Sequence, residues 1–213
     1  DPVTNYQNIF NQNWNEEILW AKNIGTYDHW ENCCNPISFG CFSIINPTQD
    51  LVDAYEMADG STPILGYSDD GLTPIINPES GYVEEGFTDT EYANRWQKGV
   101  SNMYVNREPR FYASINFAGA IWLTSRASNW TQPHTLEFWY TGIDGKNNAG
   151  SDYCKTGYLM KKLIYPTVIP FQSYPLQQWV YIRLGEIYLN YAEALNEYSG
   201  PVPEVYNAVN EIR

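Results

Sequence analysis

The stretch from Trp179 to Tyr198, WVYIRLGEIYLNYAEALNEY, decides how this chain reads. Leu184, Tyr188, Tyr191, Leu195 and Tyr198 recur at three- and four-residue steps, so they share one face of a helix. Glu186, Asn190, Glu193 and Glu197 repeat the same spacing on the opposite, solvent face. Gly200 and Pro201 stop the helix. A second amphipathic run follows at once, with Val205, Ala208, Val209 and Ile212 on its apolar side.

Two short helices around a tight Gly-Pro turn make a helical hairpin of the kind found in tetratricopeptide repeats. The stretch Arg183-Leu184-Gly185-Glu186-Ile187-Tyr188-Leu189-Asn190-Tyr191-Ala192-Glu193-Ala194-Leu195-Asn196-Glu197 resembles the signature helix of the SusD/RagB family of bacterial outer-membrane glycan-binding lipoproteins. Gly185 departs from the alanine more usual there, at about 1 kcal/mol of helix propensity. Three further blocks resemble that family in the same order. They are Asn15 to Ala21 (NEEILWA, read as a strand), Pro47 to Met57 (PTQDLVDAYEM, read as a helix) and Asn106 to Ile115 (NREPRFYASI). The resemblance implies a fold that is mainly α with long irregular segments and a few short strands. It divides residues 1–178, an irregular ligand-capture segment, from residues 179–213, a helical hairpin of the repeat scaffold. Family members are far longer, so the chain reads as their central to later portion. A lipid-bearing cysteine, most helical repeats and a C-terminal segment would lie outside it.

Before Arg95 there is one base, Lys22, against sixteen acids; from Arg95 onward there are eleven bases and nine acids. A net charge of −13 argues against nucleic acid, whose phosphates need Lys and Arg, and against adhesion to anionic lipid. The longest apolar run, Phe117 to Leu123, is too short to span a bilayer, which leaves a lipid on the absent N-terminus as the expected membrane attachment. Cys33, Cys34, Cys41 and Cys154 lack zinc-ligand spacing. Cys41 could pair with one of the adjacent cysteines, or all four could be buried thiols.

Along the chain, residues 1–24 read as a leading segment and a short strand, and residues 25–46 as a loop rich in Asn, Gly, Cys and aromatics. Thr48 is a good N-cap for a helix whose Leu51, Val52 and Tyr55 would face inward. Gly and Pro punctuate residues 59–87 too often for a long element. Thr88 and Glu91 suggest a capping box for a short helix through Lys98. Phe111, Ala113, Ile115 and Phe117 alternate with Tyr112, Ser114 and Asn116, which predicts a strand. Strand-like runs recur at Leu136–Tyr140 and Gly157–Ile164, around a polar loop over 142–150.

The motifs of enzymes are missing: no G-x-S-x-G, no phosphate-cradling G-x-x-x-x-G-K-[ST], no G-x-G-x-x-G and no H-E-x-x-H. His29 and His134 stand in no ligand-spaced cluster and read as surface or hydrogen-bonded histidines. Asp69-Asp70-Gly71 and the run from Asp144 to Asn148 read as turns rather than calcium loops. No cofactor or metal is expected, and no catalysis.

Aromatic residues carry the functional signal. A pyranose ring packs its C–H face on Trp or Tyr, while its hydroxyls bond to planar polar side chains nearby. Two stretches have that composition: Tyr27, Trp30 and Asn32 in the first, and Trp122, Asn129 and Trp130 in the second, with Trp139 and Tyr140 following. Trp30 and Trp130, set among polar residues, are the platform candidates, whereas Trp20, Trp96 and Trp179 lie in regular patterns and read as core. Arg107, Arg110, Arg183 and Glu186 read as scaffold within the shared blocks. The resemblance implies oligosaccharide capture at the bacterial cell surface and delivery to a SusC-like TonB-dependent transporter. The competing readings are a protein-interaction module without glycan binding, or a carbohydrate-active enzyme needing two carboxyls facing each other across a cleft.

Overall fold

The computed structural model describes residues 1–122 and 134–212. They form two compact units, one made of Asp1–Asn8 with Thr26–Pro175, the other of Ile9–Gly25 with Leu176–Arg213. The second unit therefore gathers a segment from near the N-terminus to the C-terminal hairpin.

In the smaller unit, β1 (Ile18–Gly25) is the strand expected from NEEILWA. Its antiparallel partner, numbered β8 below in chain order, is Gln177–Arg183, so the first five residues of the signature stretch are strand rather than helix. Trp179 to Ile182 is a run of β-branched and aromatic residues that satisfies its backbone on β1. The helix starts only at Leu184. There Glu17 performs the capping: its Oε1 accepts the Gly185 N–H (2.9 Å) and an Arg183 guanidinium N–H (2.8 Å), and its carbonyl accepts the Leu184 N–H (2.8 Å). Trp20 and Trp179, expected in the core, are exposed instead, Trp20 by 59%. A two-stranded sheet buries little by itself, and the Trp20 ring packs on its exposed neighbour Tyr181, 5.0 Å away.

The helices of this unit are Leu184–Ser199 and Pro203–Asn210 (α5 and α6 below), with Gly200 at φ 74° closing the first. Their buried residues are Gly185, Ala192 and Ala208. Leu184, Tyr188 and Leu195 of the expected seam are partly covered, but Tyr191 and Tyr198 are exposed. One partner helix covers a narrow stripe of small residues, not the wide apolar face the sequence presents.

The chain opens with α1 (Pro2–Asn11), not foreseen from the sequence, whose residues through Asn8 belong to the larger unit. Asp1 caps it, its Oδ2 accepting from the Thr4 N–H and hydroxyl, and Pro2 starts the first turn. The segment read as a loop contains α2 (Asp28–Cys34). Thr48 caps α3 (Gln49–Asp53) as expected, its Oγ1 accepting the Leu51 N–H; Val52 is buried while Leu51 points outward. A short hairpin, β2 (Ile64–Tyr67) with β3 (Pro74–Ile76), is the regular structure of the Gly/Pro-rich region. Residues 88–98 form turns rather than the capped helix, tied by a Tyr92–Trp96 bridge.

The NREPRFYASI block holds the core together. Pro109–Ser114 within it is α4, with Pro109 in the first turn, and strand begins only at its last residue, as β4 (Ile115–Phe117). The expected alternation failed because every residue from Phe111 to Phe117 is buried, so there is no solvent face for a period-two pattern to mark. Phe117 stacks on Tyr104 (4.3 Å) and Phe111 (5.5 Å). The last short pairings are β5 (Ile121–Trp122) with β6 (His134–Thr135), and β4 with β7 (Tyr158–Met160). Leu136–Tyr140 is not a strand. All four cysteines are buried, and none is in a disulfide among the described residues. No helix among the described residues is long and apolar enough to cross a membrane.

Candidate functional site

Helix α2 turns the first aromatic stretch into a rigid patch. Tyr27 occupies its N-cap position and Trp30 lies three residues on, a spacing that puts both rings on one face. The rings are within 4° of parallel with centroids 5.9 Å apart. Trp30 is partly buried against the main core, and Tyr27, 41% exposed, is the outer member. The indole Nε1 of Trp30 is shielded from solvent and meets no acceptor among the described residues. Asp28 and His29 are exposed beside the pair, and Asp28 Oδ1 accepts the His29 N–H. The aromatic surface continues through His29 to Phe42 (6.1 Å) and on to Phe171 (6.1 Å). Phe42 and Phe171 were not foreseen, since nothing local marks residues brought together across 129 positions.

Asn32, expected to bond ligand hydroxyls, is buried, and its Oδ1 accepts from the Tyr174 hydroxyl at 2.8 Å. It fastens the chain behind the patch rather than facing solvent. Trp122 is likewise no platform: it is 2% exposed, and its indole N–H donates to Asn35 Oδ1 at 2.8 Å. The neighbouring polar run misled because Trp122 sits on β5, whose side faces the core cluster. Asn129 and Trp130 lie outside the described residues. Trp139 and Tyr140 are exposed, and Trp139 helps line a cleft of about 350 Å³ with Phe87 and Lys98.

The motif arginines separate by burial. Arg107 is fully buried and donates to three backbone carbonyls, those of Met103 (3.1 Å), Val52 (2.6 Å) and Tyr55 (2.6 Å). Its guanidinium also lies over the rings of Phe111 (5.1 Å) and Tyr82 (5.5 Å). Desolvation pulls its pKa below the usual arginine value. Arg110 is half exposed and donates from Nε to Glu108, with Glu56 4.0 Å away. Arg183 belongs to the Glu17 cap, and Glu186 is exposed in the first turn of α5.

His134, Asp144 and Ser38 come together in the interior, yet not as a catalytic relay. His134 Nε2 meets both Asp144 Oδ2 (2.8 Å) and Ser38 Oγ (3.2 Å). A serine hydrolase needs one imidazole nitrogen for the serine and the other for the acid. Burial alone would raise the Asp144 carboxyl. Hydrogen bonds from His134, Ser38 and the Glu137 N–H outweigh it and hold the pKa below the usual carboxylate value. The trio is a clasp for the 142–150 loop, whose Gly142 and Gly145 approach backbone carbonyls too closely for a Cβ.

The SusD family model matches residues 4–213, so the chain belongs to the SusD family. A SusD-like protein from Bacteroides fragilis NCTC 9343 is 24% identical over 99% of this chain and 38% of its own, with a TM-score of 0.67. A second protein of that strain, described as SusD-like and carbohydrate binding, is 22% identical over 97% of this chain and 36% of its own, at 0.61. The chain therefore spans a little over a third of the length of these solved structures. Among curated proteins no relative matches it.

Proposed function

We propose that this chain captures oligosaccharides at the bacterial cell surface, without catalysis, and passes them to a TonB-dependent transporter of the SusC type. The Tyr27–Trp30 pair carries the reading: two parallel rings, the outer one open, braced on the core and flanked by Asp28 and His29. Such a surface offers a sugar ring a stacking face and nearby polar partners, and its rigidity lowers the cost of ordering on binding. SusD family membership and the carbohydrate-binding description of one B. fragilis relative support the same reading. The exposed apolar residues of the smaller unit, Trp20, Tyr181 and Tyr198 among them, suit contact with protein, either the transporter or the remainder of a longer chain. A lipid anchor outside this sequence would hold the whole at the outer membrane.

Affinity electrophoresis of the full-length protein in gels containing plant, host and microbial polysaccharides tests the proposal. Retardation by a glycan that Tyr27→Ala removes supports it. Retardation unaffected by both Tyr27→Ala and Trp30→Ala moves the site elsewhere, and no retardation at all favours a protein-interaction module.

A further inference from the structure

The larger unit contains a cavity of about 480 Å³, away from the Tyr27–Trp30 patch, lined by Thr4, Gln7, Arg95, Tyr112, Trp122 and Lys161 among others. That volume falls in the range of small-molecule sites. Two of these groups are cations. Lys161 Nζ donates to the Tyr112 carbonyl at 2.8 Å, and the Arg95 guanidinium lies over the rings of Tyr92 (4.7 Å) and Tyr112 (5.9 Å). Neither forms an ion pair with a described carboxylate, and Arg95 Nε is shielded from solvent without an acceptor among the described residues. Yet the sequence holds 25 acids against 12 bases, so acidic partners are in surplus. Both cations line one concavity without a described counter-ion, so an anion there would meet donors that are not otherwise spent.

We infer that this cavity binds a small hydroxylated carboxylate of the uronic-acid class. Its carboxylate would meet Lys161 and Arg95, its hydroxyls the polar side chains of Thr4 and Gln7, and its C–H faces the more open apolar side chains of Ile121 and Pro166. Tyr112 fixes both cations, holding one by its carbonyl and lying beneath the other by its ring. Its own phenol is spent elsewhere, donating to the Tyr104 carbonyl at 2.7 Å. Lys161 and Arg95 are the charged groups of the described lining, and desolvation lowers the Lys161 ammonium to about 8. Anion affinity should accordingly decline as pH rises through that value, while the ligand carboxylate stays ionised.

Isothermal titration calorimetry of the full-length protein with D-glucuronate, and with D-glucose as the neutral isostere, tests this. Glucuronate is expected to bind and glucose not. Lys161→Met and Arg95→Gln should each weaken glucuronate about tenfold or more, whereas Tyr27→Ala, outside the cavity, should leave it unchanged. Because either variant could disturb packing, the unmodified protein is also titrated between pH 7 and 9.5, where affinity should fall about tenfold. Equal binding of glucose, no binding of glucuronate, or pH-independent binding would each overturn the inference. None of these outcomes bears on the Tyr27–Trp30 platform, which polysaccharide retardation reads separately.

Discussion

Replacing Arg107 by Met probes the interior most sharply, because it removes a charge that serves three backbone carbonyls in two separate segments. The carbonyls of Val52, Tyr55 and Met103 lose a cationic donor at 2.6–3.1 Å. Charge-assisted bonds contribute about 1.5–3 kcal/mol each, and an orphaned buried acceptor costs about 1–3 kcal/mol. Two effects reduce the sum. The Val52 carbonyl still accepts the Tyr55 N–H at 3.3 Å, and removing the guanidinium ends a desolvation penalty of several kcal/mol, the same penalty that lowers its pKa. The net expectation is a loss of about 3–5 kcal/mol. Arg107→Lys should recover less than half, since an ammonium reaches fewer of the three carbonyls and lacks the planar fork. Urea unfolding of the full-length protein, followed by tryptophan fluorescence and circular dichroism, gives the difference. A loss below about 1 kcal/mol would refute the strut role. Loss of glycan binding at unchanged stability would instead make Arg107 a ligand clamp, although it has no exposed surface.

Glu17→Ala should cost about 1–2 kcal/mol by uncapping α5 and freeing Arg183, visible as faster amide exchange at Leu184 and Gly185 than in Glu17→Gln. Gly185→Ala should change stability by less than about 1 kcal/mol in denaturant unfolding, because a Cβ would meet the movable Arg183 guanidinium 2.6 Å away, offsetting the gain in helix propensity. The Asp144 carboxyl titrates lower in the folded chain than in the unfolded one, so its contribution is complete above the unfolded value of about 4 and is lost as pH falls through the folded one. Asp144→Asn should therefore flatten the acid limb of a stability-against-pH curve measured from pH 5 downward.

Much of the fold could be read from short blocks whose signals are local. Thr48 before an apolar run, Gly200-Pro201 after one, and the NEEILWA strand each behave as their residues dictate. The reading failed where burial is two-sided or partners are distant. Phe111 to Phe117 alternates by residue type, but with every position buried the alternation carries no information about a solvent face. The Trp179–Arg183 segment became strand because β1 lies ready to pair with it, a contact across more than 150 residues. At the candidate site Tyr27 and Trp30 were legible from composition, while the helix that aligns them was obscured by Asn, Cys and aromatic residues of modest helix propensity. Asn32 and Trp122 look like sugar ligands by type. What spends their polar atoms, Tyr174 and Asn35, could be found only in the folded chain.

The glycan-capture account rests on the outer face of Tyr27, and affinity electrophoresis of the full-length protein against its best-retarding polysaccharide tests it most directly. The account predicts that Tyr27→Ala abolishes retardation while the unfolding midpoint stays within the range of ordinary surface substitutions. Unchanged retardation in a folded Tyr27→Ala, Trp30→Ala double variant would contradict it.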